Sequence, residues 1–137
     1  MAVYLDTSVL VSAFIEDDHS ERSAAFLVRT PHLVVSRWAE AEFSSALGLR
    51  KRRGVLDDAS RLKVEATFDG WLADKPRCRL DEEDIARCRR LIRDGVRLRT
   101  PDALHLALLL RHGYGLATLD RDLGDAAREL GVEVVNP

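Results

Sequence analysis

Short apolar runs alternate along this chain with longer stretches in which apolar residues return every three or four positions. Residues 3–5, 33–36, 77–80, 116–119 and 132–135 are the short runs and read as strands. Between them, helical spacing predicts helices over residues 8–15, 19–28, 37–53, 57–72, from 81–84 through Ile92, 100–112 and 122–130. In the helix over 37–53, Ala39, Phe43, Ala46 and Leu47 form the stripe that should face the core. Gly54, Gly95 and Gly113 stand where helices should stop. Asp81-Glu82-Glu83-Asp84 suits the positive end of a helix dipole. Thr100-Pro101-Asp102 reads as N-cap, first helical position and first turn. Strands separated by helices imply a central parallel sheet of four or five strands with both faces covered, a three-layer α/β/α fold.

Composition narrows the picture. A chain of 137 residues can bury a core without disulfide staples, and no Pro, Gly or Ser-rich tract interrupts it, so residues 1–137 are expected to form one domain. The formal net charge of -2 supplies no general attraction to a polyanion, so any nucleic-acid binding must come from local clusters. Cys78 and Cys88 fit no zinc spacing and are too few for a disulfide framework, which suits reduced thiols in a cytoplasmic protein. The apolar start is broken at Asp6, it lacks a basic leader, and nothing later is long enough to span a bilayer, so neither export nor membrane insertion is expected.

Four acids change the picture more. Asp6, Glu42, Asp102 and Asp120 lie far apart, yet each sits at the edge of an apolar segment where a strand ends or a helix begins. An open α/β sheet gathers the carboxyl ends of its strands along one edge, where such folds bind ligands. Carboxylates gathered there repel one another unless a cation holds them, and an all-oxygen donor set suits Mg²⁺ or Mn²⁺. Taken singly, Asp6 and Asp102 also suit a helix start, and Asp120 a turn or N-cap. Glu42 competes with Glu40, because the two fall on opposite flanks of the same apolar stripe. Glu40 shares its flank with Lys51, whereas Glu42 lies with Trp38 and Leu49 and has fewer cations near it.

The run Tyr4-Leu5-Asp6-Thr7-Ser8, the helix segment Glu42-Phe43-Ser44-Ser45-Ala46-Leu47, the segment Pro101-Asp102-Ala103-Leu104-His105-Leu106-Ala107 and the late Thr118-Leu119-Asp120-Arg121-Asp122-Leu123 occur in this order over nearly the whole chain. Together they resemble the PIN-domain family, specifically its VapC-type toxins. The resemblance implies a Mg²⁺ or Mn²⁺ dependent endoribonuclease that leaves a 5′-phosphate and a 3′-hydroxyl and is neutralised by a cognate antitoxin. Carried over by position, it makes Asp6, Glu42, Asp102 and Asp120 the catalytic acids, with Asp6, Asp102 and Asp120 on the metal. Ser8, Thr118 and Asp122 are then supporting residues, and Glu42 is preferred over Glu40.

Other residues complete the expectations. His105 follows Asp102 by one helical turn but sits in a strongly apolar helix and reads as a structural histidine. Arg50-Lys51-Arg52-Arg53 is the sharpest basic cluster and a candidate RNA contact, or else a set of cations at a helix C-terminus. Arg87, Arg89, Arg90, Arg93, Arg97 and Arg99 read mainly as a solvated face. No aromatic residue is interleaved with these cations, so shape and phosphates of a structured RNA suit the chain better than a long single strand. An acidic cleft is naturally blocked by a cation, so the expected antitoxin inserts an Arg or Lys. Phe43, Leu47, Leu56, Leu62, Phe68, Trp71 and Leu72 are either all core or partly a homodimer or antitoxin groove. Ser8 stands where a phosphoaspartate phosphatase has its second aspartate, Asp6 is alone where a receiver domain has a pair of acids, and no phosphate-binding glycine loop is present. A non-catalytic module whose acidic pocket docks a basic partner is the alternative from another class.

Overall fold

The computed structural model describes residues 1–137. In chain order its elements are β1 (Val3–Leu5), α1 (Thr7–Phe14), α2 (Ser20–Arg29), β2 (Leu33–Ser36), α3 (Arg37–Arg52) and α4 (Asp58–Leu72). There follow β3 (Arg77–Cys78), α5 (Glu82–Arg93), α6 (Thr100–His112), β4 (Gly115–Ala117), α7 (Arg121–Glu129) and β5 (Val134–Val135). All strand pairs are parallel, in the order β3-β2-β1-β4-β5. Helices cover both faces of this five-stranded sheet, as the strand and helix alternation predicts.

Alternation along the strands sorts the core into two sides. Val3 and Leu5 of β1 and Leu33 and Val35 of β2 join one apolar cluster with Leu10, Phe26, Phe43, Phe68 and Leu72, which places α1 to α4 on that face. Tyr4 points the other way, to Leu106, Leu109, Leu116, Leu123 and Ala127, so α6 and α7 cover the opposite face. Phe43 is fully buried and stacks on Phe68 with ring centroids 4.0 Å apart. No helix is long and apolar enough to cross a membrane.

Several element ends depart from the sequence reading, and side-chain hydrogen bonds explain the informative ones. The fourth strand was expected over residues 116–119 and ends at Ala117. The next backbone N–H groups turn to hydroxyls: Leu119 N–H donates to Ser8 Oγ at 3.0 Å and Asp120 N–H to Thr118 Oγ1 at 2.9 Å. Thr100 is not the N-cap of α6; Arg99 is, without a side-chain cap, and Thr100 and Pro101 both lie inside the first turn. Pro101 tolerates that place because an N–H there would be unpaired anyway. At the other end Gly113 adopts φ 69°, the left-handed conformation that lets α6 stop and the chain turn into β4.

The seven apolar residues that read either as core or as a groove divide between the two. Phe43, Leu47, Phe68 and Leu72 are buried, and Leu56 and Trp71 pack against the same core, leaving only Leu62 exposed, at 59%. Their spacing was ambiguous because α1 also packs on α3 and α4, a contact no local pattern reveals.

Candidate active site

The sheet order reverses between β1 and β4, which makes their carboxyl ends the switch point where an open α/β sheet forms its crevice. Asp6 follows β1 directly and caps α1, accepting from Val9 N–H at 3.3 Å. Asp120 follows β4 and caps α7, accepting from Leu123 N–H at 3.1 Å. Asp102 stands in the first turn of α6, and Glu42 in the second turn of α3. For Asp6 and Asp120 the capping role and a place in the crevice therefore coincide, since a helix N-terminus at a strand end supplies both.

Asp6 is almost fully enclosed, at 4% exposure, and both its oxygens are engaged. Ser8 Oγ donates to Oδ1 at 2.6 Å and Thr118 Oγ1 donates to Oδ2 at 2.6 Å. Each hydroxyl also accepts one of the two backbone N–H groups released by β4, so Ser8 and Thr118 tie the end of β4 to Asp6. Burial still dominates: it pushes the Asp6 carboxyl above the usual range despite these donors. Asp102 is raised as well, first by burial and then by Asp120, with Glu42 and Asp6 adding to the effect. The four acids thus lie in one electrostatic neighbourhood. An open cleft of about 460 Å³ beside them is lined by Val96, Arg97, Leu98, Arg99, Asp102, Asp120 and Asp122.

Glu40 and Glu42 part company completely. Glu40 pairs with cations, Arg37 at 3.1 Å and Arg77 at 3.8 Å. Glu42 faces Thr7 and His105: Thr7 Oγ1 donates to Oε1 at 2.7 Å, and His105 Nε2 bonds the same oxygen. Burial works to raise the Glu42 carboxyl, but these two donors outweigh it and hold it below the ordinary value. His105 is only 2% exposed and its Nδ1 lies 2.5 Å from the Tyr4 hydroxyl, which lies 2.7 Å from Ser36 Oγ. Thr7, Tyr4, Ser36 and His105 therefore belong to the site's surroundings, although the sequence reading singled out only His105 and only as core. The signal for Tyr4 was its hydroxyl in an otherwise apolar strand.

The basic residues divide differently from the expectation. Arg50-Lys51-Arg52-Arg53 ends α3, roughly 15 Å along the axis from Glu42 at 1.5 Å per residue, so it lies away from the acids. Lys51 there pairs with Asp58 at 2.6 Å, and Arg50 donates back to Ala46 O at 3.3 Å. Arg97 and Arg99, grouped from the sequence with a solvated face, instead share the cleft with Asp102, Asp120 and Asp122.

No three side chains among His, Cys, Asp and Glu converge closely enough to hold an ion by themselves. Mg²⁺ usually takes one or two carboxylates and keeps several waters. An all-oxygen set in which burial disfavours the charged form of Asp6, and burial together with neighbouring carboxylates that of Asp102, fits such an ion.

Residues 3–129 match the PIN domain family. The chain belongs to that family. Comparison with curated proteins finds no significant match. Among solved structures it is similar to FitAcB from Neisseria gonorrhoeae, at 21% identity over 98% of this chain and 97% of the other, with a TM-score of 0.74. It is similar to Mycobacterium tuberculosis VapC20, described as a sarcin-ricin loop cleaving toxin, at 16% identity over 99% and 100% of the two chains, with a TM-score of 0.75. The VapBC2 complex of Rickettsia felis bound to promoter DNA aligns at 14% identity over 100% and 99%, with a TM-score of 0.68. These likenesses establish the fold.

Proposed function

We propose that this PIN-domain protein is a metal-dependent endoribonuclease, the toxin of a VapBC-type toxin-antitoxin pair. The carrying observation is the burial of Asp6 beside Asp102, whose carboxyl is raised by burial and then by Asp120 and Glu42, at the switch point of the sheet. A fold gains nothing from crowding acids in that way unless a cation joins them. Asp6, Asp102 and Asp120 would hold Mg²⁺ or Mn²⁺, which when bound supplies Lewis-acid polarisation of a phosphate oxygen and a nucleophile at neutral pH. Glu42, kept ionised by Thr7 and His105, orients the attacking water. Ser8 and Thr118 keep Asp6 in place, and Asp122 extends the acidic wall of the cleft. Arg97 and Arg99 receive the phosphates beside the scissile bond, with Arg50, Lys51, Arg52 and Arg53 a more distant contact for a structured RNA.

The solved complexes of FitAcB and VapBC2 support a protein partner, which we read as an antitoxin that places an Arg or Lys in the acidic pocket of a cytoplasmic toxin. A homodimer completes the proposal, with Leu49, Val55 and Leu62 as the exposed apolar residues of α3, its following turn and α4. The test is cleavage of total cellular RNA by the purified chain with Mg²⁺ or Mn²⁺, beside Asp6→Asn and a chelated control. Cleavage lost in both controls is the expected result. A chain that binds neither ion and cuts nothing defeats the nuclease reading in favour of a docking module. Sedimentation showing only monomer at micromolar concentration defeats the dimer.

A further inference from the structure

Glu42 is held by one oxygen only. Thr7 and His105 both bond Oε1, while Oε2 has no protein partner and the side chain keeps 24% of its exposure. Behind His105 stands a closed chain of hydroxyls. Ser36 Oγ caps α3 by accepting from Ala39 N–H at 2.9 Å, so its proton is free to go to Tyr4. The Tyr4 hydroxyl can accept that proton and stands 2.5 Å from His105 Nδ1, where its own proton is the one left to donate. Since ionised Glu42 only accepts, His105 must carry a proton on Nε2, and the Tyr4 hydroxyl is placed to donate to Nδ1.

We infer that His105 is a positioning residue for Glu42, locked by Tyr4 in the Nε2–H tautomer so that Oε1 is pinned and Oε2 is presented to the crevice. The inference rests on the nuclease reading. Its physical point is preorganisation: a glutamate has three side-chain torsions, and a free one would sample positions in which it cannot hold a water on line. Two donors on one oxygen leave the other with a single direction. The residues come from β1, α1, α3 and α6, so the clamp also registers the two helical layers against each other at the site.

The experiment compares wild type with Tyr4→Phe, His105→Gln, His105→Leu, Glu42→Gln and the His105→Leu, Glu42→Gln double variant. Nitrogen-15 spectra of the imidazole read the tautomer; single-turnover cleavage of total cellular RNA with Mg²⁺ reads the saturated rate and the half-saturating enzyme concentration. Neutral His105 should show Nε2–H, and Tyr4→Phe should move the Nδ1 resonance without emptying the core. His105→Leu should lower the saturated rate by about 10- to 100-fold, the range for loss of an outer partner at a metal site, with half-saturation nearly constant. His105→Gln, whose amide N–H can reach Oε1, should recover most of that rate. In the Glu42→Gln background, His105→Leu should cost little more. An Nδ1–H tautomer, equal losses in the Gln and Leu variants, or an undiminished loss in the Glu42→Gln background would each overturn the inference. A wild type that cuts no RNA sinks the nuclease reading instead, and the spectrum alone then decides the clamp.

Discussion

Replacing Thr118 with Val keeps the shape of the side chain and removes one hydroxyl at the centre of the site. That hydroxyl donates to Asp6 Oδ2 at 2.6 Å and accepts Asp120 N–H at 2.9 Å. Thr118 is 2% exposed and Asp6 4%, so water cannot replace the first bond. A hydrogen bond to a charged group is worth about 1.5–3 kcal/mol, and the second bond, half-buried and open to water, about 0.5–1 kcal/mol. The expected loss is about 2–4 kcal/mol at neutral pH in chelator. Thr118→Ser keeps both bonds and deletes one methyl group, at about 0.5–1.5 kcal/mol. Acid should soften the larger loss. Burial already raises the Asp6 carboxyl, and removing a donor raises it further, so the folded variant binds a proton in a pH window where wild-type Asp6 is ionised. The difference from wild type therefore shrinks as pH falls through that window. Urea unfolding of the three proteins at pH 7 and in steps toward pH 5 checks this. Equal stability of the Val and Ser variants at pH 7, or a Val deficit that grows in acid, would refute the reasoning.

Asp102→Asn should melt above wild type in chelator at pH 7, because burial, Asp120 and Glu42 disfavour the charge it removes. A raised folded pKa means stability is lost as pH rises, so the gap should close as pH falls toward the usual carboxyl range, and added Mg²⁺ should favour wild type. Wild type melting higher without metal would count against the crowded-acid argument. Arg111→Met should cost about 3 kcal/mol in urea at neutral pH, since it strips Nε at 2.6 Å and Nη2 at 2.8 Å from fully buried Asp84. Arg111 outweighs the burial of Asp84 and lowers its carboxyl, so this contribution is lost as pH falls through the folded pKa, and a cost that persists in acid would contradict it. Changing Arg97 and Arg99 to Ala should weaken RNA binding across sequences and flatten its salt dependence by about one unit per lost phosphate contact, read by filter binding against KCl concentration. An unchanged slope would remove them from the RNA path.

Much of this protein was legible in its sequence. The alternation of short apolar runs with three-and-four spacing carried the layered parallel fold, because burial on both faces of a strand and one face of a helix is a local requirement. The edges of those runs also located Asp6, Asp102 and Asp120, since strand ends and helix starts are marked by nearby residues. Glu42 was different. Glu40 and Glu42 share a helix and a chemical type, and the wheel left both open until Thr7 and His105 were seen on one and Arg37 and Arg77 on the other.

Tertiary structure alone decided what surrounds the acids. Thr118 meets Asp6 across 112 positions, Leu119 meets Ser8 across 111, and Tyr4 meets His105 across 101. Composition and spacing cannot report such pairs, because each depends on which strands become neighbours and how far a helix slides along the sheet. The same holds for Arg97 and Arg99, whose run reads as solvated surface until the loop between α5 and α6 and the starts of α6 and α7 close around one cleft. Local pattern determined the layers and the places where carboxylates could gather; long-range packing determined which hydroxyls, imidazole and guanidinium groups stand beside them.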